Sequence, residues 1–126
     1  MEDVKVSSHD HLDEFVAGGI VHRLRQKAWD KECASVAELS ELWEAAVKNL
    51  PDFIRALEQT GCELQKHETI LCILVKARFR PSEIAALMNL TPQNITNLRA
   101  RLNMKMFHSD KGTGGFNERI INLTPS

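Results

Sequence analysis

Apolar residues recur along this chain at the three- and four-residue spacing of amphipathic helices, and polar, proline and glycine punctuation cuts that pattern into short elements. The broadest stripe is Val36, Leu39, Leu42, Trp43, Ala46, Val47 and Leu50, with a period near 3.6. It opens on Ser35-Val-Ala-Glu38, a capping box, and reads as core with a share of dimer interface. Pro51 breaks or restarts it, and Phe53, Ile54 and Leu57 continue on a short helix that ends near Thr60-Gly61. Ahead of this stripe, residues 1–8 are polar, and helical character begins near Ser8 or His9. Asp10, Asp13 and Glu14 fall in the first turns, with Leu12, Phe15 and Val16 facing inward. Gly18-Gly19 interrupts that helix, because consecutive glycines are poor helix formers. A second helix over about 20–31 turns Ile20, Val21, Leu24 and Ala28 inward, with Trp29 as its large apolar anchor. After the Thr60-Gly61 stop, residues 64–77 form a helix that buries Ile70, Leu71, Leu74 and Val75.

Residues 81–102 carry the densest set of signals. Pro81 suits a first helical position, Glu83 sits where the helix dipole favours a carboxylate, and Ile84, Ala85, Leu87 and Met88 give an apolar face. Asn89 tolerates the left-handed conformation that ends a helix. Thr91-Pro92 restarts one, and Ile95, Leu98 and Leu102 follow on a single face. A small residue at the helix crossing (Ala85), a turn residue (Asn89), an apolar plug (Leu90) and two inward residues (Ile95, Leu98) fit a helix-turn-helix unit. Beyond Phe107, Asp110-Lys-Gly-Thr-Gly-Gly reads as a flexible loop, and 116–123 as a last short helix or an extended tail returning to the core. No segment has the alternation of a β-strand. The expected class is therefore all-α, a helical N-terminal segment followed by a helix-turn-helix domain. Residues 1–62 form an acidic segment for packing and dimerisation, and residues 63–126 the DNA-binding domain with its tail.

Composition adds one asymmetry. The net charge is −1, yet residues 1–64 hold 7 Lys+Arg against 13 Asp+Glu, while 65–126 hold 9 against 4. A basic half that coincides with the helix-turn-helix pattern is the electrostatic footprint of a phosphate-binding surface. No apolar window reaches the 18 or so residues of a membrane span and no signal peptide opens the chain. Cys33, Cys62 and Cys72 are odd in number and widely spaced, which fits reduced thiols and a cytoplasmic location, with Cys72 inside an apolar core run.

Catalytic signals are absent from the pattern. There is no Ser/His/Asp arrangement or carboxylate pair, and Gly112-Thr-Gly-Gly has only the glycine content of a phosphate loop. His9-Asp-His11 lacks partners at ligand spacing, so no metal or cofactor is expected. The polar face of helix 92–107 is more informative. Gln93, Asn94 and Asn97 can pair with adenine edges, with Thr96 beside them near bases or backbone. Lys76, Arg78, Arg80, Arg99, Arg101 and Lys105 are the phosphate candidates, which position a duplex without reading it.

These residues resemble a known group. Ile73-Leu-Val-Lys-Ala-Arg-Phe79, Pro81-Ser-Glu-Ile-Ala85 and Asn94-Ile-Thr-Asn-Leu-Arg-Ala-Arg-Leu102 resemble the LuxR/GerE-type helix-turn-helix without a wing. The likeness is greatest to the C-terminal version in Bacteroidetes transcriptional regulators, where larger sensors place it after tetratricopeptide repeats and a membrane helix. It covers about residues 20–123 and is specific over 68–107. Two departures stand out: Arg80 occupies a place often held by a Ser or Thr cap, leaving Ser82 or Pro81 to fix the helix start, and Asn89 replaces a turn glycine. The resemblance implies a transcription regulator whose helix 92–107 enters the major groove of double-stranded DNA, binding as a homodimer. RNA polymerase, or a sensor region of a longer chain, is a further candidate partner. The competing expectation is a protein-interaction module in which the acidic helices bind a partner and the helix-turn-helix is scaffold.

Overall fold

The structure, a computed structural model, describes residues 10–125. The described residues form an all-α fold with no strand: α1 (Leu12–Ala17), α2 (Gly19–Trp29), α3 (Val36–Asn49), α4 (Pro51–Gln59), α5 (Lys66–Lys76), α6 (Pro81–Met88), α7 (Pro92–Phe107) and α8 (Phe116–Ile121). None of these helices is long and apolar enough to cross a membrane. The expectations for residues 1–9, His9 included, lie outside the described residues.

Local chemistry sets most boundaries. Ser35 Oγ accepts from the Glu38 amide at 3.1 Å while Glu38 Oε1 accepts from the Ser35 amide at 2.9 Å, so two orphan donors of α3 are satisfied reciprocally. Lys27 donates to the same Glu38 carboxylate at 2.7 Å, and together with the Ser35 amide it lowers that carboxyl to about 2. Helix α6 has no side-chain cap, and neither does Ser82 supply one. Pro81 fills its first position, and Glu83 reaches back to the Arg80 amide at 2.7 Å. At its other end Asn89 is left-handed (φ 55°), and the Leu90 amide donates to Ala85 O while Asn89 N donates to Ala86 O. That pair of bonds is the Schellman arrangement. Arg78 takes the same left-handed position after α5, with Phe79 N bonded to Leu74 O and Arg78 N to Val75 O.

One apolar core joins all eight helices, from Phe15 on α1 to Phe116 and Ile120 on α8. It crosses the 62/63 boundary expected between the N-terminal segment and the helix-turn-helix domain. Helix α5 is central to it: Ile70 through Val75 are buried without a break, and α5 packs on α3 and on α8. Burial has pushed the Cys72 thiol in this run up to about 12, so it behaves as a small apolar filler. Helix α6 lies between α2 and α7, and the α2–α3 loop is tied to it by Ala34 N donating to Leu87 O at 2.9 Å. The guanidinium of Arg25 on α2 donates to Ala77 O at 2.6 Å and lies 4.3 Å from the centre of the Phe79 ring. The acidic N-terminal helices are thus packed directly onto the element that supports α7.

Three expectations are corrected. Trp29 is no anchor: its side chain is 78% exposed, because it follows Ala28 by one residue and so turns about 100° away from the Ile20–Leu24–Ala28 row. The stripe on α3 is wider than the face α3 buries. Leu42, Ala46 and Leu50 are fully buried, while Val36 (77%), Val47 (44%) and Trp43 (38%) reach solvent. Asp10 does not belong to the first turn of α1, which starts at Leu12. Its carboxylate instead accepts from the Asp52 and Phe53 amides, at 2.7 and 3.1 Å, and so caps α4 across 42 residues of sequence. Leu50, the residue at the N-cap position of α4, has no side-chain acceptor of its own.

The last segment is the short helix α8, held to α7 through a buried amide. Asn103 is fully buried; its Nδ2 donates to Gly112 O (2.9 Å) and Gly114 O (3.1 Å), and its Oδ1 accepts from Arg119 at 2.9 Å. Asn103 therefore folds the 108–115 turn back against α7.

Two stability outcomes follow from these caps. Asp10→Ala, which strips the acceptor from two α4 amides, lowers unfolding free energy by about 1 kcal/mol in a urea titration. Asn103→Ala costs more, about 1–3 kcal/mol, because it leaves two glycine carbonyls and a guanidinium without their buried partner.

Candidate nucleic-acid interface

Helix α7 is anchored on one side and polar on the other. Thr91 caps it by accepting from the Asn94 amide at 3.0 Å, Pro92 occupies its first position, and Ile95, Leu98, Leu102 and Met106 are buried. The buried spacing of three and four residues leaves Gln93, Asn94, Thr96, Asn97 and Arg101 exposed on the opposite side. Gln93, Asn97 and Arg101 follow one another at i, i+4 and i+8, a single ridge. Gln93 Nε2 donates to Asn97 Oδ1 at 3.0 Å, which fixes the two amides relative to each other and leaves donors and acceptors of both for a ligand. The four sequence-derived base-contact candidates therefore share one exposed face over the first two turns of α7.

The six candidate phosphate ligands do not stay together. Arg78, Arg80 and Arg101 are exposed. Arg80 keeps only a loose 3.7 Å approach to Glu83, with its side chain three-quarters exposed. The other three are turned inward and hold helices together. Lys76 donates to Ile121 O at 2.7 Å and its ammonium lies 5.3 Å from the centre of the Phe53 ring; burial lowers its pKa from the ordinary lysine value. Arg99 donates through Nε and Nη2 to Asn117 Oδ1 at 3.2 and 2.9 Å, and burial lowers its pKa too. Lys105 donates to Glu68 Oε1 at 3.0 Å. Glu68 is a buried carboxylate. Burial works to raise its pKa, but the Gln65 amide and Lys105 outweigh it, and the net shift is downward.

The structure also brings in residues from the N-terminal half. A groove of about 570 Å³ runs between the end of α2 and the starts of α6 and α7, lined in part by Trp29, Lys31, Arg80, Leu90 and Pro92. Lys31 and the exposed Trp29 indole thus flank the start of α7. The sequence marked Trp29 only as an apolar anchor and Lys31 not at all, since the pairing of α2 with α6 that places them here is a long-range contact. Lys31 has the left-handed backbone of a residue just past a helix end (φ 59°). Among the described residues no cluster of three or more His, Cys, Asp or Glu side chains is placed to hold a metal ion.

Lys105→Ala and Arg101→Ala separate the two kinds of cation. The first leaves Glu68 buried without its ammonium and lowers stability by about 1–3 kcal/mol; the second changes stability by less than about 0.5 kcal/mol in the same denaturant titration. The pH dependence has a definite sign. Glu68 has a folded pKa below its unfolded value, so its contribution is complete above the ordinary carboxylate range and is lost as pH falls through it towards the folded value. Glu68→Gln therefore flattens the acid limb of a plot of unfolding free energy against pH.

No family model, curated protein or solved structure matches this chain.

Proposed function

We propose that this chain is a DNA-binding transcriptional regulator that places the exposed face of α7 in the major groove of duplex DNA. The observation that carries the reading is the concentration of Gln93, Asn94, Thr96 and Asn97 on the first two turns of a helix whose opposite side is locked into the core. Amides in that position have the donor and acceptor pairs that adenine edges match, and rigid anchoring keeps them in register. Arg101 on the same ridge, with Arg78 and Arg80 exposed at the end of α5 and the start of α6, supplies charge for phosphates. The likeness of residues 68–107 to the LuxR/GerE-type module points the same way. Lys76, Arg99 and Lys105 drop out of the phosphate set in this reading and serve as cross-links.

A second reading, a protein-interaction module, draws on the apolar residues α3 leaves in solvent. Duplex binding separates the two. Sites selected from random duplexes and then titrated by fluorescence anisotropy give a defined preferred sequence if α7 reads bases. Asn97→Ala then weakens binding to that sequence by about 1–3 kcal/mol and relaxes preference at one position. Arg101→Ala weakens all duplexes alike and reduces the slope of log affinity against log salt by about 1, while Lys76→Ala leaves that slope unchanged. Duplex binding that responds to neither Asn97→Ala nor Arg101→Ala would sink the assignment of this face.

A further inference from the structure

At the end of α2 stand two side chains that the core does not need, Trp29 and Lys31, both exposed. The Lys31 amide donates to Ala28 O at 3.1 Å and the Glu32 amide to Lys27 O at 2.8 Å, the Schellman arrangement again. Lys31 therefore holds the left-handed position that a glycine usually takes. Its ammonium has no hydrogen bond or ion pair among the described residues. Both side chains border the groove between α2 and the starts of α6 and α7, together with Arg80, Leu90 and Pro92. Glu83 also lines it, but its carboxylate is engaged by the Arg80 amide and its side chain is less than one-fifth exposed. Asp30 and Glu32 flank Lys31 in sequence without lining the groove, and Asp30 accepts from Gln26 one turn back along α2. The result is an apolar channel with one free cation from α2 and another from the start of α6.

We infer that this groove takes a stretch of the sugar–phosphate strand of duplex DNA, with Lys31 and Arg80 on phosphates and Trp29 against the deoxyribose between them. The inference rests on the reading of α7 as the base-contacting helix and extends that surface into the N-terminal half. Two features favour this occupant. A nucleic-acid strand alternates anionic phosphates with weakly polar sugars, and the groove offers an indole, Leu90 and Pro92 together with two cations. The groove is also continuous with the exposed face of α7, since Pro92 lines it and Gln93, the next residue, opens the polar ridge. A strand whose bases meet the first turn of a recognition helix has its backbone beside that turn. The indole N–H adds a donor for a phosphate oxygen. An acidic protein segment has the charge for this groove, but nothing ties it to the polar ridge of α7. Trp29 and Lys31 are then DNA ligands supplied by the acidic half of the chain, and the pairing of α2 with α6 holds them at the edge of the reading surface. Glycine at position 31 suits the turn better; lysine brings the charge.

The test uses the full chain and its selected duplex in anisotropy titrations over a range of salt. Lys31→Gly is expected to weaken binding about fivefold to tenfold near 0.1 M salt and to lower the salt slope by about 1, with the preferred sequence unchanged. Its melting temperature stays the same or rises, because glycine relieves the left-handed strain, so the lost affinity is not a lost fold. Trp29→Ala weakens binding severalfold at every salt concentration and leaves the slope alone. In Trp43→Phe, where Trp29 is the remaining tryptophan, saturating duplex shields the indole from acrylamide quenching. Duplex binding that responds to Asn97→Ala and Arg101→Ala but to neither Lys31→Gly nor Trp29→Ala overturns this inference and leaves α7 as the reader. Shielding of Trp29 by polyglutamate, with none by the duplex, overturns it in favour of an acidic protein partner. If no duplex binds at all, the reading of α7 falls and this inference falls with it.

Discussion

Helix α6 has eight residues, far too few to persist as an isolated helix in water, and it exists because two other helices hold it. Ile84, Ala85 and Leu87 are buried between α2 on one side and α7 on the other. The small side chain of Ala85 lets the backbone come close, and the Leu90 amide bonded to Ala85 O turns the chain into α7. This wedge fixes the start of α7, while Lys105 bonded to Glu68 and Arg99 bonded to Asn117 hold the rest of that helix on α5 and α8. On the far side, Arg25 and the Ala34 amide bind the N-terminal helices to the elements around α6, so the two ends of the chain are parts of one packed body.

That arrangement changes what the charge asymmetry means. The excess of Lys and Arg in the second half looks like a surface field, but half of the six cations singled out there are structural. Lys76, Arg99 and Lys105 satisfy a helix-end carbonyl, an asparagine and a buried carboxylate on the α5–α7–α8 seam. Burying a charge is tolerated only when it is hydrogen-bonded, and each of these is. The charge available to a ligand is correspondingly smaller and more localised, on Arg78, Arg80 and Arg101 with Lys31 joining from α2. The apolar pattern on α3 changes in the same way: seven positions at helical spacing promise core, but a helix packed on one side buries only its inner row.

Much of the fold was legible in the residues. The capping box at Ser35, the proline at Pro81, the left-handed turn at Asn89 and the Thr91-Pro92 restart act within a few residues of themselves, and the structure has each of them as expected. The exposed side of α7 was legible for the same reason, since burial of Ile95, Leu98 and Leu102 fixes by period which neighbours face out. What a cation does was not legible, because a lysine that bonds a carbonyl 45 residues away looks like any other lysine in a sequence.

The sequence by itself determined the all-α class, the helix boundaries set by caps and prolines, and the polar face of α7, because these depend on interactions a few residues long. Only the tertiary structure decided that Asp10 caps α4, that Trp29 leaves the core for the groove beside α7, that Asn103 pins the last turn, and which residues of the α3 stripe stay in solvent. Those outcomes depend on which surfaces meet, and helix packing brings together residues that no local period relates.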